Sequence, residues 1–364
     1  MSLIDATAER PRFHPLRIAD VRRETDDAVS IAFDVPPELA ERFRYTPGQY
    51  LTLKAEVNGE EQRRTYSISS GLDDGEWRIA VKRVEGGLFS AFANERLKAG
   101  DTIEVMPPAG RFVLPEPTGP RTVVAFAAGS GITPIASQMR TVLVREPKSR
   151  VFLFYGNQTS RSILFREAIE DLKDRYIDRF SFHNVLSREA QDVHALNGRI
   201  DGEKVAAFMR HVVPLETVDV FLLCGPAPFL NGCVDRLKTL GAPEAKILLE
   251  RFTTPKGRPP VERPAAAAPG VDTAAVTVTL DGVTTTLRLA PGEKILDAAL
   301  EAGLDVPYSC RGGMCCTCRA KLTAGSVDMA LNYSLRPDEI AAGFVLTCQS
   351  TPTTAEVAVD YDAA

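Results

Sequence analysis

Four of the chain's seven cysteines fall within nine positions, in the string Y-S-C-R-G-G-M-C-C-T-C-R, and a further one stands in L-T-C-Q-S. Taking Cys310, Cys315, Cys318 and Cys348 as a set gives C-x4-C-x2-C, then 29 residues, then C. Two irons bridged by sulfides need four thiolates, and a loop of this spacing lets glycines and backbone amides wrap closely around such a cluster. Arg311, Gly312 and Gly313 occupy the wrap. Zinc is the competing metal, but structural zinc favours separated C-x2-C knuckles, and only one pair here has that spacing. Cys316 breaks the pattern and reads as a spare thiol, while Cys233 sits in a helical stretch and reads as a small packing residue.

A chain of 364 residues exceeds one ordinary core and suggests three domains. The net charge of −5 speaks against nucleic acid, whose binding neutralises phosphates with Lys and Arg. The acidity is local: residues 274–364 hold 11 acidic and 6 basic side chains, the first 273 residues 37 of each. Such a field raises encounter rates with a basic partner, or simply keeps the domain soluble. No apolar run is long enough for a membrane helix, so no membrane partner is expected. The start, M-S-L-I-D-A-T-A-E-R-P-R, lacks a secretory signal, which predicts a cytoplasmic, reducing setting and disfavours disulfides.

Short alternating runs at 50–56 and 77–84, punctuated by Gly, Pro and Asp, predict an antiparallel β-barrel over 10–116. Over 117–253 continuous apolar runs at 122–127, 151–155 and 220–224 alternate with helical stretches at 135–145 and 165–174. That pattern predicts an α/β domain with a buried parallel sheet. Residues 254–273, rich in Pro and Ala, read as a linker. Over 274–362 a hairpin about Asp281-Gly282 and a short helix at 294–302 precede the cysteine loop, predicting an α+β domain.

In the β-rich region P-G-Q-Y precedes R-R-T-Y-S-I-S-S. Here the chain resembles the ferredoxin-NADP reductase family, whose flavin motif is R-x-Y-S. The resemblance implies that Arg64 binds the flavin phosphate, Tyr66 packs on the ring and Ser67 lies near the nitrogen that takes hydride. G-G-L-F-S resembles the family's second motif, which would put Gly87, Leu88, Phe89 and Ser90 at the pyrophosphate, an anion nest of backbone amides. Ser69 and Lys82 complete the implied flavin set. FAD is the expected flavin, although related reductases carry FMN.

T-V-V-A-F-A-A-G-S-G-I-T-P runs from a strand through a glycine turn into a helix, where amides and the helix dipole favour a pyrophosphate. It is not the G-x-G-x-x-G fingerprint. It resembles the same family's nucleotide turn, with Ala128 replacing its first glycine, and implies cofactor contacts from Gly129, Ser130, Gly131 and Thr133. L-L-C-G-P resembles the motif beside the nicotinamide and implies Cys224 and Gly225; E-R-F implies Glu250 and Phe252 as the carboxylate and aromatic closing the active site. Ser187, Arg188 and Arg199 resemble positions that hold a 2′-phosphate, which makes NADPH the expected donor with NADH the alternative. Ser67, Cys224 and Glu250 are the expected catalytic residues.

The cysteine domain resembles plant-type 2Fe-2S ferredoxins of the β-grasp fold. The domain order resembles reductase components of bacterial multicomponent oxygenases. That implies electron flow from NADPH through FAD and the 2Fe-2S cluster to a di-iron oxygenase acting on an aromatic-ring CoA thioester. A reductase for another ring-hydroxylating oxygenase using NADH is the alternative within the class, and a non-catalytic zinc-binding module the alternative outside it. If the ligand set is right, Cys316→Ser leaves iron and sulfide content unchanged, as metal and sulfide analysis would read; loss of the cluster would show a wrong assignment.

Overall fold

The computed structural model describes residues 12–252 and 273–363; the linker read at 254–273 lies outside them but for its last residue. By contacts the chain divides into two units, His14–Thr253 and a second holding Thr254–Ala364.

In the first unit β1 (His14–Thr25), β2 (Ala28–Asp34), β3 (Tyr50–Val57), β4 (Glu60–Ser67), β5 (Trp77–Lys82) and β6 (Thr102–Ala109) form an antiparallel sheet. Its order is β4-β3-β6-β1-β2-β5. The two edges meet: Ile68 bridges to Ile79, and the Ser69 amide donates to the Arg78 carbonyl at 2.7 Å, closing the sheet as the barrel pattern predicts. Inward side chains such as Leu16, Ile31, Leu51, Leu53 and Val105 fill the interior, and α1 (Leu88–Glu95) caps it with Phe89 and Ala93.

Five parallel strands follow: β7 (Thr122–Ala128), β8 (Arg150–Asn157), β9 (Phe180–Leu186), β10 (Val220–Gly225) and β11 (Ile247–Arg251). They lie in the order β11-β10-β7-β8-β9. α2 (Ile132–Arg145), α3 (Arg166–Arg175), α4 (Gly202–His211) and α5 (Ala227–Thr239) supply the crossovers. Strands buried on both faces need apolar side chains throughout, which is why β7, β8 and β10 read as unbroken runs. The order reverses at β7, whose neighbours are β8 and β10, so the crevice at their carboxyl ends is the topological switch point where ligands bind in such sheets.

α2 joins the two sheets. Ten of its side chains are buried. The Ser137 hydroxyl donates to the Ser70 carbonyl and the Gln138 side-chain amide to the Phe112 carbonyl, both at 2.6 Å. Arg140 and Arg145 pair with Asp74 and Asp73 at 2.9 and 2.8 Å. Buried bonds of this kind contribute about 0.5–1.5 kcal/mol each.

The second unit pairs β12 (Ala274–Leu280) with β13 (Val283–Leu289) through a tight turn whose central residues, Asp281 and Gly282, both take positive φ, 51° and 72°. That is the conformation the Asp-Gly dipeptide favours. β14 (Arg319–Ala324), β16 (Phe344–Leu346) and β18 (Glu356–Asp360) complete a mixed sheet in the order β13-β12-β18-β14-β16, with β12 and β18 parallel. α6 (Ile295–Glu301) buries Ile295, Leu296 and Ala299 against the sheet, β15 (Val327–Met329) pairs with β17 (Ser350–Pro352) beside it, and α7 (Pro337–Ala341) precedes β16. Among the described residues no helix is long and apolar enough to cross a membrane.

At the switch point the glycine turn lies directly on the end of β10: a Cβ on Gly131 would sit 2.1 Å from the Cys224 carbonyl oxygen. Gly131→Ala therefore pushes this turn off the end of β10 and is expected to cost about 1–3 kcal/mol, the range for overpacking. A melting curve followed by circular dichroism reads this, and an unchanged midpoint would contradict it.

Candidate electron-transfer site

The flavin-motif residues run along the end of β4. Tyr66 lies with its ring 5.7 Å from that of Phe89, bringing the two motifs together, and burial raises its phenol further above the usual range. Ser67 is 6% exposed and pairs with Tyr50 in the ladder. The Ser69 hydroxyl donates to the Arg78 carbonyl at 3.1 Å, where the two edges of the sheet meet. Arg64 is exposed and donates to the Gln62 side chain at 2.8 Å. Lys82, the last residue of β5, forms an ion pair with Asp27 at 3.4 Å.

Gly87 caps α1. The Ser90 hydroxyl accepts from the Val84 amide at 3.0 Å and donates to the Gly87 carbonyl at 3.1 Å, ordering the loop from within. Ser90, Phe89 and Leu88 form the first turn of the helix, where amides have no intrahelical acceptor and suit a pyrophosphate.

At the switch point Gly129, Ser130 and Gly131 form a turn that continues into α2. The Tyr155 hydroxyl, from β8, donates to the Gly129 carbonyl at 2.9 Å and supports the turn from below. The Thr133 hydroxyl donates to the Ser130 carbonyl at 3.0 Å. Across the crevice Cys224 and Glu250 are register partners on β10 and β11. The Cys224 thiol is wholly buried, and burial together with the Glu250 charge raises its pKa. Burial raises the Glu250 carboxyl to about 8. Gly225 follows at the strand end, packed so closely that a Cβ would lie 2.7 Å from the Phe229 ring. Phe252, 39% exposed, comes just after β11.

The Ser187 amide and hydroxyl both donate to the Asn157 carbonyl, at 3.0 and 3.2 Å, tying the end of β9 to the end of β8. Arg188 and Arg199 are exposed at that same end. The last residue of the S-R-E string is a carboxylate: Glu189 accepts from the Ser160 amide and hydroxyl at 2.8 and 2.9 Å, which holds it below the usual carboxylate range.

In the second unit the cysteines form two pairs. Contact with Cys315, then the amides of Gly312 and Met314 at 3.4 Å, lower the Cys310 thiol to about 6. Contact with Cys318 lowers Cys348 to about 7. Cys315, Cys318 and Cys348 are at most 8% exposed. Two thiols for each of two irons is the donor set a 2Fe-2S cluster requires. Among the described residues no three His, Cys, Asp or Glu side chains are placed to hold a single metal ion. The loop fits closely too: a Cβ on Gly313, at φ 73°, would lie 2.8 Å from the Leu331 carbonyl oxygen. Cys316 takes a positive φ of 55° in this loop.

This arrangement defines a class: a flavin sheet locked to a pyridine-nucleotide sheet, and a separate unit built around four thiols. Residues 15–114 match the oxidoreductase FAD-binding domain, 126–235 the oxidoreductase NAD-binding domain, and 278–353 the 2Fe-2S iron-sulfur cluster binding domain. The chain is 47% identical over 353 residues to a 1,2-phenylacetyl-CoA epoxidase component of Escherichia coli, covering 96% of this chain and 98% of that one. It is 36% identical to the 3-ketosteroid-9-alpha-monooxygenase ferredoxin reductase component of Mycobacterium tuberculosis, over 95% of each chain. Phthalate dioxygenase reductase shares the fold with a TM-score of 0.58 at 24% identity, over 96% of this chain and 98% of that one. The chain belongs to the ferredoxin-NADP reductase family, in the branch with FAD-binding, NAD-binding and C-terminal 2Fe-2S ferredoxin domains. It is an NAD(P)H-dependent reductase component that passes electrons through FAD and a 2Fe-2S cluster to an oxygenase partner. The zinc-module alternative gives way to the match over 278–353.

A carboxyl raised to about 8 keeps its proton in the native protein where the unfolded chain, with a value near 4.5, has released it. The unfolded state then binds fewer protons, so stability falls as pH rises through that window and levels off above it. Glu250→Gln removes the effect: its stability relative to the parent is expected to rise between pH 5 and 8. Urea unfolding at pH 5, 7 and 9 tests this, and a pH-independent difference would contradict it.

Proposed function

We propose that this chain draws electrons from NADPH and serves a di-iron oxygenase that epoxidises phenylacetyl-CoA. The domains are taken as 10–116, 117–253 and 274–362. The reading of the partner is supported by the 47% identity with the 1,2-phenylacetyl-CoA epoxidase component along nearly the full length of both chains. When bound, the flavin accepts a hydride and yields its electrons one at a time to the 2Fe-2S cluster.

The observation that carries the site reading is the bond from Ser137 to Ser70. It ties the helix that begins at the nucleotide turn to the strand end three residues beyond Ser67, so donor and acceptor sites share one rigid joint. Hydride transfer needs near-attack contact, and a joint of this kind holds it. Arg64 and the α1 amides bind the flavin's phosphates, Tyr66 supports its ring, and Ser67 orients its reactive edge. Gly129, Ser130, Gly131 and Thr133 bind the dinucleotide pyrophosphate. Cys224, a neutral thiol, shapes the nicotinamide pocket with Gly225 and Phe252, and Glu250 holds a proton near neutral pH. Cys310 with Cys315, and Cys318 with Cys348, ligate the cluster.

Ser187, Arg188 and Arg199 at the adenosine end favour a 2′-phosphate. Glu189 favours the second reading, NADH, because an acidic group suits a free ribose diol. Anaerobic titration with each nucleotide, followed optically and by electron paramagnetic resonance, separates them. With NADPH as donor, Arg188→Ala is expected to raise the KM for NADPH about tenfold to a hundredfold, the value of a charge-assisted hydrogen bond, and to leave that for NADH unchanged. Equal efficiency with both nucleotides and no effect of the substitution would overturn the NADPH reading. Failure to support phenylacetyl-CoA epoxidation by the corresponding oxygenase component would overturn the partner.

A further inference from the structure

Gln349 follows the last ligand cysteine and is 2% exposed. Its side-chain nitrogen donates to the Arg311 carbonyl at 2.7 Å and to the Cys348 sulfur at 3.5 Å. Both partners are acceptors: a carbonyl has no proton to give, and neither has a thiolate, so the amide nitrogen must face them. The two contacts lie on opposite halves of the site. Arg311, at φ 50°, belongs to the loop between Cys310 and Cys315, while Cys348 pairs with Cys318. The Gln349 side chain also lies against Gly313, where a Cβ would stand 3.3 Å from its Cγ.

We propose that Gln349 is a positioning residue that bridges the two cysteine pairs and raises the reduction potential of the cluster by donating to the Cys348 sulfur. The inference rests on the assignment of the four cysteines as ligands. Reduction of the cluster adds one negative charge, spread in part over the thiolate sulfurs. A donor aimed at one of them stabilises the reduced form more than the oxidised one, as hydrogen bonds to cluster sulfurs do generally. A bond that also reaches the Arg311 carbonyl holds the loop against the last ligand, so its removal loosens the wrap as well as the charge balance. In a buried site no water replaces the lost donor without opening the loop, so the effect is not masked by solvent.

The test uses the full-length protein with flavin and cluster bound. In Gln349→Leu, which keeps bulk and removes the donor, iron and sulfide content is expected to stay at the parent level. Potentiometric titration followed by electron paramagnetic resonance is expected to show the ratio of reduced to oxidised cluster lowered about tenfold at a given potential, ~59 mV for one electron. A chelator is expected to strip iron several-fold faster. Should the Leu variant fail to assemble, Gln349→Asn supplies the measurement, because its shorter amide cannot reach both partners. An unchanged midpoint in an assembled variant overturns the proposal. Absence of a 2Fe-2S signal in the parent protein itself would instead overturn the ligand assignment, so the two failures are distinct.

Discussion

The first unit depends on the close approach of Gly131 to the Cys224 carbonyl, where no side chain could intervene. This contact seats the turn after β7 on the carboxyl end of β10, at the switch-point crevice that the strand order creates. The same turn is the start of α2, so the position of the crevice is passed along the helix to Ser70, Asp73, Asp74 and Phe112 in the flavin sheet. Sheet closure follows the same line: Tyr45 donates to the Ser70 and Gly71 carbonyls at 3.1 and 2.9 Å, and Ser69 closes β4 onto β5. The flavin sheet and the nucleotide sheet are thereby fixed to each other by buried bonds.

The cysteine unit solves a different problem. Four thiols must be brought together although they repel when ionised, and the fold does this by holding Cys310 with Cys315 and Cys318 with Cys348. The loop supplies amides from Gly312 and Met314 to a sulfur, so negative charge is met by backbone dipoles. Behind the second pair lies a buried relay: the Tyr361 hydroxyl donates to Thr347 at 2.7 Å, and Thr347 donates through its hydroxyl to the Cys318 carbonyl at 3.0 Å. The residue that follows β18 thus reaches the segment that carries Cys318.

Much of this is legible in the sequence because it rests on local patterns. The unbroken apolar runs form β7, β8 and β10, the Asp-Gly dipeptide makes its turn, and the helix expected at 294–302 forms as α6 over Ile295–Glu301. Helical periodicity marks α2 only from 135, whereas the glycine turn runs into helix at Ile132 without a break. What stays hidden are contacts between residues far apart in the chain. Tyr155 ends an apolar run and looks like core, yet its hydroxyl reaches Gly129. Ser137 lies in a helical pattern with nothing to mark its partner Ser70, 67 positions away. Glu189 and Gln349 sit beside residues that motifs single out, and adjacency alone does not disclose that each bonds across its loop.

The two units also divide the work by how much geometric precision it needs. Hydride transfer moves a nucleus and tolerates little displacement, and misplacement by an ångström is costly. The flavin and nucleotide sheets are accordingly joined through a helix with ten buried residues, two buried side-chain bonds and two ion pairs. Single-electron transfer needs no such register of reacting atoms, and the thiol-bearing fold is complete in its own core, with Val276, Ile295, Leu296, Leu346 and Val359 packed in one cluster with Cys318 and Cys348. Its excess of acidic side chains, 11 against 6 basic, sets it apart from the first 273 residues, where the two signs balance at 37 each. Close packing is thus greatest where reacting atoms must be held in alignment.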